Sequence, residues 1–257
     1  MIRIVYLLRR APHLSLEEFQ RYWRDVHAPL VASNQQHLSI VKYVQVHRDD
    51  DPAWANVAGA RGEMEPPYDG TAELWWESEE ALAAGSGTAE GRRAGAELLE
   101  DEGRFIDLPN SPVWLAHEYP QVNPAPENIV ARDRSTVMKL YYPLRHHPHQ
   151  SLEEAQRYWR VQHGPLIRRQ AQAMGMLRYM QVHRHETPFD AALRNGRGTA
   201  VEPYTGHAEV WFDAAVARSS AETRAAGRAA IADEQHFIDF TRSSIWVGKE
   251  HVIVDRM

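Results

Sequence analysis

Apolar positions along the chain follow two periods, and those periods appear in the same order twice. Residues 2–9 and 138–145 are apolar runs with β-branched or aromatic members, which predicts a strand at the start of each series. Ser15 and Ser151 each stand three residues before a glutamate, a pattern that caps and opens a helix. On the first of these helices Leu16, Phe19, Trp23, Val26, His27 and Leu30 fall within an arc of about 100°, one stripe that faces a core. Pro29 and Pro165 should kink or end the two helices, because proline has no amide hydrogen for the ladder. Residues 41–48 and 71–76 alternate with a period of two, as strands do, with a Gly- and Pro-bearing excursion between them. An Ala-rich helix comes next, and residues 112–118 and 244–250 close the two units as strands.

The two series are copies. At a shift of 136 residues SLEEFQRYWRDVHAPLV (from Ser15) meets SLEEAQRYWRVQHGPLI (from Ser151), with 12 identities in 17. KYVQVHR meets RYMQVHR, and YDGTAELWW meets YTGHAEVWF, in the same register. The shift then falls to 132, where DEGRFID (from Asp101) meets DEQHFID (from Asp233) and Trp114 meets Trp246. Four residues are thus missing from the second copy, most simply around 85–88. One register held across four blocks is a duplication.

Each copy reads β-α-β-β-α-β, a ferredoxin-like unit with both helices on one face of an antiparallel sheet. Its other face is half a core and needs a cover. Two units in one chain can supply that cover to each other, giving an α+β fold with a closed eight-stranded barrel wrapped by helices. The alternative is two independent units on a linker. The expected division is 1–119, a linker at 120–135 carrying three prolines, and 136–257. A single chain would then suffice for a closed barrel, with homodimerisation as a further option.

With 257 residues, 43% hydrophobic and 25% charged, the composition is that of a globular protein. A net charge of −6 argues against a nucleic-acid or acidic-membrane partner. No apolar run approaches the ~20 residues of a membrane helix, and residues 1–10 read as a strand rather than a secretory signal. There is no cysteine, hence no disulfide and no thiolate chemistry. A cytoplasmic location is the resulting expectation.

The blocks YWRDVHAPL, KYVQVHR, PYDGTAELWW and DE..FID resemble the EthD family of the dimeric α+β barrel superfamily, and each half carries all four. The resemblance implies a ferredoxin-like unit that pairs into a barrel, normally between two chains. It further implies roles in breaking down small organic compounds or in tailoring aromatic polyketides. Some barrels of that superfamily bind haem or activate oxygen without a cofactor; here neither a cofactor nor a metal is expected.

His27 and His163 are the first candidates for chemistry. Each sits on its helix stripe four residues after a tryptophan, Trp23 or Trp159, so that ring and imidazole share a face. Histidine changes charge near neutral pH and can act as general acid or base. The plain alternative is a buried histidine bonded to backbone near the proline. On the second strand Tyr43, Gln45 and His47 share one face, as do Tyr179, Gln181 and His183, which suits a pocket between sheet and helices. Tyr43 and Tyr179 are the candidate polarising hydroxyls, as the resemblance implies for barrels that pair a helix histidine with a strand tyrosine. Glu73 with Trp75, and Glu209 with Trp211, could orient a histidine or a substrate hydroxyl, or form a rim salt bridge beside a core tryptophan. Asp101, Glu102, Phe105 and Asp107 return as Asp233, Glu234, Phe237 and Asp239 at helix ends, where acidic residues oppose the dipole and need a reason, structural or catalytic. They are expected to cap the following turn and to pair with Arg9 or Arg145. His146, His147 and His149 lie among prolines and read as a solvated turn.

These residues support three functions. The leading one is a cofactor-independent lyase, isomerase or cyclase acting on a small aromatic or carbonyl compound. The others are a non-catalytic ligand-binding accessory to an oxygenase and a cofactor-free monooxygenase. The copies also differ: Phe19 becomes Ala155, Ala28 becomes Gly164, Leu7 becomes Pro143 and Val5 becomes Tyr141. Less bulk and one more hydroxyl point to a roomier second cleft around His163, with Tyr141 at its edge.

Overall fold

The computed structural model describes residues 1–123, 129–216 and 220–257. The first repeat runs β1 (Ile2–Leu8), α1 (Leu16–Tyr22), a π turn (Trp23–His27), α2 (Ala28–Asn34), β2 (Lys42–Arg48), β3 (Gly70–Trp76), α3 (Glu79–Gly87), α4 (Ala89–Phe105) and β4 (Val113–Val122). The second runs β5 (Val137–Leu144), α5 (Leu152–Tyr158), a π turn (Trp159–His163), α6 (Gly164–Gln170), β6 (Met176–Arg184), α7 (Pro188–Arg197), β7 (Gly206–Asp213), α8 (Ala221–Glu234) and β8 (Trp246–Asp255).

Each repeat forms a four-stranded antiparallel sheet, ordered β4-β1-β3-β2 and β8-β5-β7-β6. β2 pairs with β8 and β4 with β6, so both edges of one sheet are sealed by the other and the barrel closes within a single chain. β4 continues to Val122 and pairs with β6, so residues 120–122 are strand where a linker was expected. Of that expected linker, 124–128 lie outside the described residues, while Ala131 is buried and its amide donates to Glu250.

Alternation along each strand separates two compartments. Ile2, Ile4, Tyr6 and Leu8 of β1 pack with Phe19, Trp23 and Phe105 under the first pair of helices. Val5, Leu7, Val44, Val46, Trp75, Trp114, Tyr141, Trp211 and Trp246 fill the barrel interior. That interior also carries charge. Arg3 reaches Glu73 at 2.6 Å, Glu118 at 2.8 Å and Glu209. Lys139, which holds the place of Arg3 in the second repeat, reaches Glu73 at 2.9 Å, Glu250 at 3.2 Å and Glu209 at 3.3 Å. Breaking one such buried pair costs about 3–5 kcal/mol because it strands the partner charge, so the network fixes how the halves sit together.

Both serine caps form as expected, each serine accepting from an amide while its glutamate reaches back. The prolines neither end nor simply bend the helices. Pro29 and Pro165 follow a π turn in which Ala28 donates to Trp23 and Gly164 donates to Trp159. The wider turn rotates less per residue, and Val26 is left facing outward, 48% exposed. Val26 is therefore not part of the buried stripe.

Candidate functional site

Two clefts lie between the sheet and its helices, one per repeat. The first has a volume of about 200 Å³ and is lined by Ile4, Tyr6, Trp23, His27, Tyr43 and Ala72, among others. The second, about 140 Å³, is lined by Leu140, Tyr142, Trp159, His163, Tyr179 and Ala208 at the matching positions. A 150 Å³ apolar cavity holds a benzene, so the first cleft is sized for a substituted ring.

His27 is held by Asp101, whose Oδ2 lies 2.8 Å from Nδ1, while Tyr22 donates to Oδ1 of the same carboxylate at 2.7 Å. His163, Asp233 and Tyr158 repeat the arrangement at 2.7 and 2.9 Å. A carboxylate can only accept, so it holds the proton of a neutral imidazole on Nδ1 and leaves Nε2 as an acceptor on the cavity side. Neither Asp101 nor Asp233 pairs with an arginine of the first strand, as the sequence suggested. Arg9 donates instead to the carbonyls of Pro66 and Pro67, and Arg145 to those of Glu202 and Pro203. The sequence signal was present in the two acidic residues kept at both helix ends, where the dipole disfavours them.

Tyr43 faces the same cavity. Its hydroxyl accepts from Trp23 Nε1 at 3.0 Å and from Gln45 Nε2 at 2.9 Å, which fills its acceptor positions and leaves its own proton to be given. Burial pushes the phenol well above its ordinary value, so the group is a fixed donor rather than a base. Tyr179 is held in the same way by Trp159 and Gln181. Gln45 also donates to the carbonyl of Trp23 at 2.9 Å, tying the π turn to β2.

His47 and His183 take a supporting place. Each stacks on its tryptophan, with ring centres 4.6 and 4.5 Å apart, and bonds the side-chain Oε1 of Gln45 or Gln181 through Nε2. Burial holds both far below the usual histidine range, His183 at about 3, so they stay neutral. Trp23 therefore stacks on His47, and His27 tilts against Phe105 instead, 5.1 Å away.

Glu73, Trp75, Glu209, Trp211 and Tyr141 do not reach either cleft. Strand alternation turns all five into the barrel, where Tyr141 stacks on His207 at 4.2 Å and on Trp246 at 4.9 Å. Pro143 points inward with Tyr141 by the same alternation, and Ala155 does not line the second cavity. The space at Gly164 is taken by Gln121, whose Oε1 would lie 2.6 Å from an added Cβ. The expectation of a roomier second cleft is thus reversed. Glu73, His207 and Glu209 come within metal-ligating distance of one another, but Arg3 and Lys139 already lie against the same carboxylates. A cation would have to displace both.

Glu102 and Glu234 of the acidic cluster line the two clefts, and the sequence missed only the arginine that each one holds. Glu102 holds Arg197 through two bonds of 2.9 and 2.8 Å, with the guanidinium 5.0 Å from the Tyr6 ring. Glu234 holds Arg61 at 2.6 and 2.7 Å beside Tyr142. Each arginine comes from the β-β excursion of the opposite repeat, so each cleft is closed by the other half.

The EthD domain matches residues 11–109 and 147–241, one match per repeat. The chain belongs to the EthD family. Across the full length of both EthD repeats the fold resembles an anthrone oxidase-like protein at 10% identity, covering 100% of this chain and 94% of that one, with a TM-score of 0.57. An ethyl tert-butyl ether degradation (EthD) family protein from Bacillus halodurans matches at 16% identity over 46% of this chain and 99% of its own, with a TM-score of 0.32. No curated protein matches the chain by sequence. The likeness to the anthrone oxidase-like protein is one of fold, an α+β barrel that here closes within one chain. Among the described residues no helix is long and apolar enough to cross a membrane.

Proposed function

We propose that the first cleft is an active site that moves a proton on a small, mainly apolar ring compound bearing an oxygen. The observation that carries this reading is a histidine–aspartate pair facing the same cavity as a tyrosine that has only its proton left to give. His27 Nε2 would take a proton from the carbon or oxygen next to the polarised group. Tyr43 would donate to the oxygen on which negative charge develops, and Asp101 would stabilise the imidazolium. Returning the proton at another atom completes an isomerisation or cyclisation, and expelling a leaving group completes a lyase reaction. Side chains supply every step, so the reading includes no cofactor.

Solvent deuterium exchange at the α-carbon of 2-tetralone, followed by NMR, tests it. Wild-type protein should speed exchange, His27→Ala should remove at least ~100-fold of that rate, and Tyr43→Phe a smaller part. Exchange no faster than in buffer, or undiminished in His27→Ala, overturns the reading. The fold neighbour whose name is anthrone oxidase-like suggests a second outcome, in which the anion made by His27 reacts with molecular oxygen. Oxygen uptake by the same mixture separates the two.

A further inference from the structure

The Tyr6 end of the first cleft contains a polar group that the proton-transfer reading does not use. Tyr6 is 4% exposed and lines the cavity, and its hydroxyl has no partner at full hydrogen-bond geometry, with the Arg197 guanidinium as the polar group beside it. Burial drives its phenol far above the ordinary value, with Glu102 adding to the shift and Arg197 opposing it, so the proton is kept. A buried hydroxyl without a partner is a standing cost that a ligand oxygen can remove. Arg197 also lines the cavity beside it, fixed by the Glu102 fork.

The register sets the distance between this group and Tyr43. Tyr6 and Gln45 both pair with Ala72, and Ile4 and Tyr43 both pair with Leu74. Tyr6 and Tyr43 are therefore two strand spacings apart across the sheet and two residues apart along it, about 12 Å between Cα atoms. The small Ala72 and apolar Leu74 form the floor between them. Two phenols thus face one apolar slot from opposite ends. The second repeat keeps the plan with Tyr142, Glu234 and Arg61, and the Tyr142 hydroxyl likewise has no partner at full hydrogen-bond geometry.

We propose that Tyr6, backed by Arg197 of the opposite repeat, is a second oxygen-recognition point, and that the ligand is a ring compound with oxygen functions at both ends. This rests on the first cleft being the ligand site, and it adds the class of molecule that the cleft selects. Specificity at that end is then set by a residue from the second repeat, so duplication gave the first cleft a contact that its own repeat does not encode.

The test compares 2-naphthol with 2,6-dihydroxynaphthalene as probes, titrated by calorimetry into the full-length chain and its Tyr6→Phe variant. Wild-type protein should bind the dihydroxy probe roughly tenfold more tightly. Tyr6→Phe should abolish that preference, bringing the dihydroxy probe down to the affinity of 2-naphthol for the same variant, and leave the melting temperature equal or higher, because it removes a buried hydroxyl with no partner at hydrogen-bond geometry. A preference that survives Tyr6→Phe, or equal affinity for both probes in the wild type, overturns the second recognition point and leaves the His27 reading in place. A marked fall in melting temperature would instead make Tyr6 a structural residue and also overturns the proposal. Binding of neither probe overturns this proposal together with the aromatic-ligand reading on which it rests.

Discussion

The two clefts share their chemistry and differ in their walls. Both hold a histidine–aspartate pair, a tyrosine fed by tryptophan and glutamine, and an arginine from the opposite half. The first is flanked by α3 and α4 and covered by α7; the second has α8 alone and two short 3₁₀ turns, Pro52–Trp54 and Gly59–Arg61, from the opposite excursion. Met174 and Met176 line the second cleft where Leu38 and Ile40 line the first, and flexible methionines fill irregular gaps well. Asp101 is buried, while the Asp233 side chain is 18% exposed, its carboxyl held below the usual range by His163. Duplication preserved the same polar groups in both halves, and the surrounding packing sets the volume of each cleft.

The largest effect should come from removing the comparison altogether. Residues 1–122 or 136–257 expressed alone would leave the β2 and β4 edges, or the β6 and β8 edges, unpaired, with Arg3 or Lys139 deprived of carboxylates from the other half. Each half should dimerise or aggregate. A half that sediments as a monomer and melts cooperatively would show that the barrel is not needed for folding.

Next in size is the contrast between the two histidines. On the proposed reading His27→Ala should lose about 10²–10⁴-fold in exchange rate, and Asp101→Asn a smaller share, while His163→Ala loses only a few fold. Stability of each variant, measured by urea unfolding, should fall by no more than a few kcal/mol. Equal losses in the two histidine variants would mean that cavity volume does not choose between the clefts.

The sequence was most informative where a period or a repeat carried the signal. The closed barrel followed from two ferredoxin-like units whose bare faces needed cover, and the face of Tyr43, Gln45 and His47 followed from simple alternation. What escaped was long-range. Asp101 meets His27 across 74 residues and Arg197 meets Glu102 across 95, distances over which no spacing rule operates. Alternation also placed Glu73 and Trp75 correctly on one face, but nothing in the sequence said that this face was the barrel interior. Tyr141 was misplaced for the same reason. The π turn was out of reach as well, since Pro29 predicts a disturbance without saying that the helix continues past it.

Acid should affect the two halves unequally. His47, His183 and His207 are held neutral by burial, the last two at about 3, whereas unfolded histidine titrates near 6.5. Below that value the unfolded chain takes up protons that the folded chain refuses, so stability is full above pH 6.5 and falls toward pH 3. Each histidine contributes about 1.4 kcal/mol per pH unit in that window. These three histidines should give a slope that approaches three protons as pH falls from 6.5 to 5, with smaller additions of the same sign from His117, His146 and His251, read from urea unfolding across that range. His47→Gln should remove one proton from the slope, and His183→Gln with His207→Gln should remove two. A slope unchanged by these variants would place the acid sensitivity elsewhere.

The smallest effect tests whether lost bulk in the second copy serves a ligand or a neighbour. Gly164 replaces Ala28 at the start of α6, and an added Cβ would lie 2.6 Å from Gln121 Oε1 and 3.1 Å from Gln181 Nε2. Gln121 reaches over from β4 and accepts from Arg168, whereas its counterpart in the second repeat, Ile253, packs against the first core. The long Gln121 side chain can swing aside, so the clash is soft. Alanine meanwhile gains about 0.5–1 kcal/mol over glycine as a helix former. These terms should nearly cancel, leaving Gly164→Ala within about 1 kcal/mol of wild type by urea unfolding. With Gln121→Ala already in place the closer obstacle is gone and only the tight 3.1 Å approach to Gln181 Nε2 remains, so the same change should be more favourable than in the wild type by a part of the helix preference. The double-mutant cycle isolates the contact between the two positions. If Gly164→Ala stabilises equally with and without Gln121, the glycine was not making room for that side chain. The case for a ligand-sized space in the second cleft would then reopen.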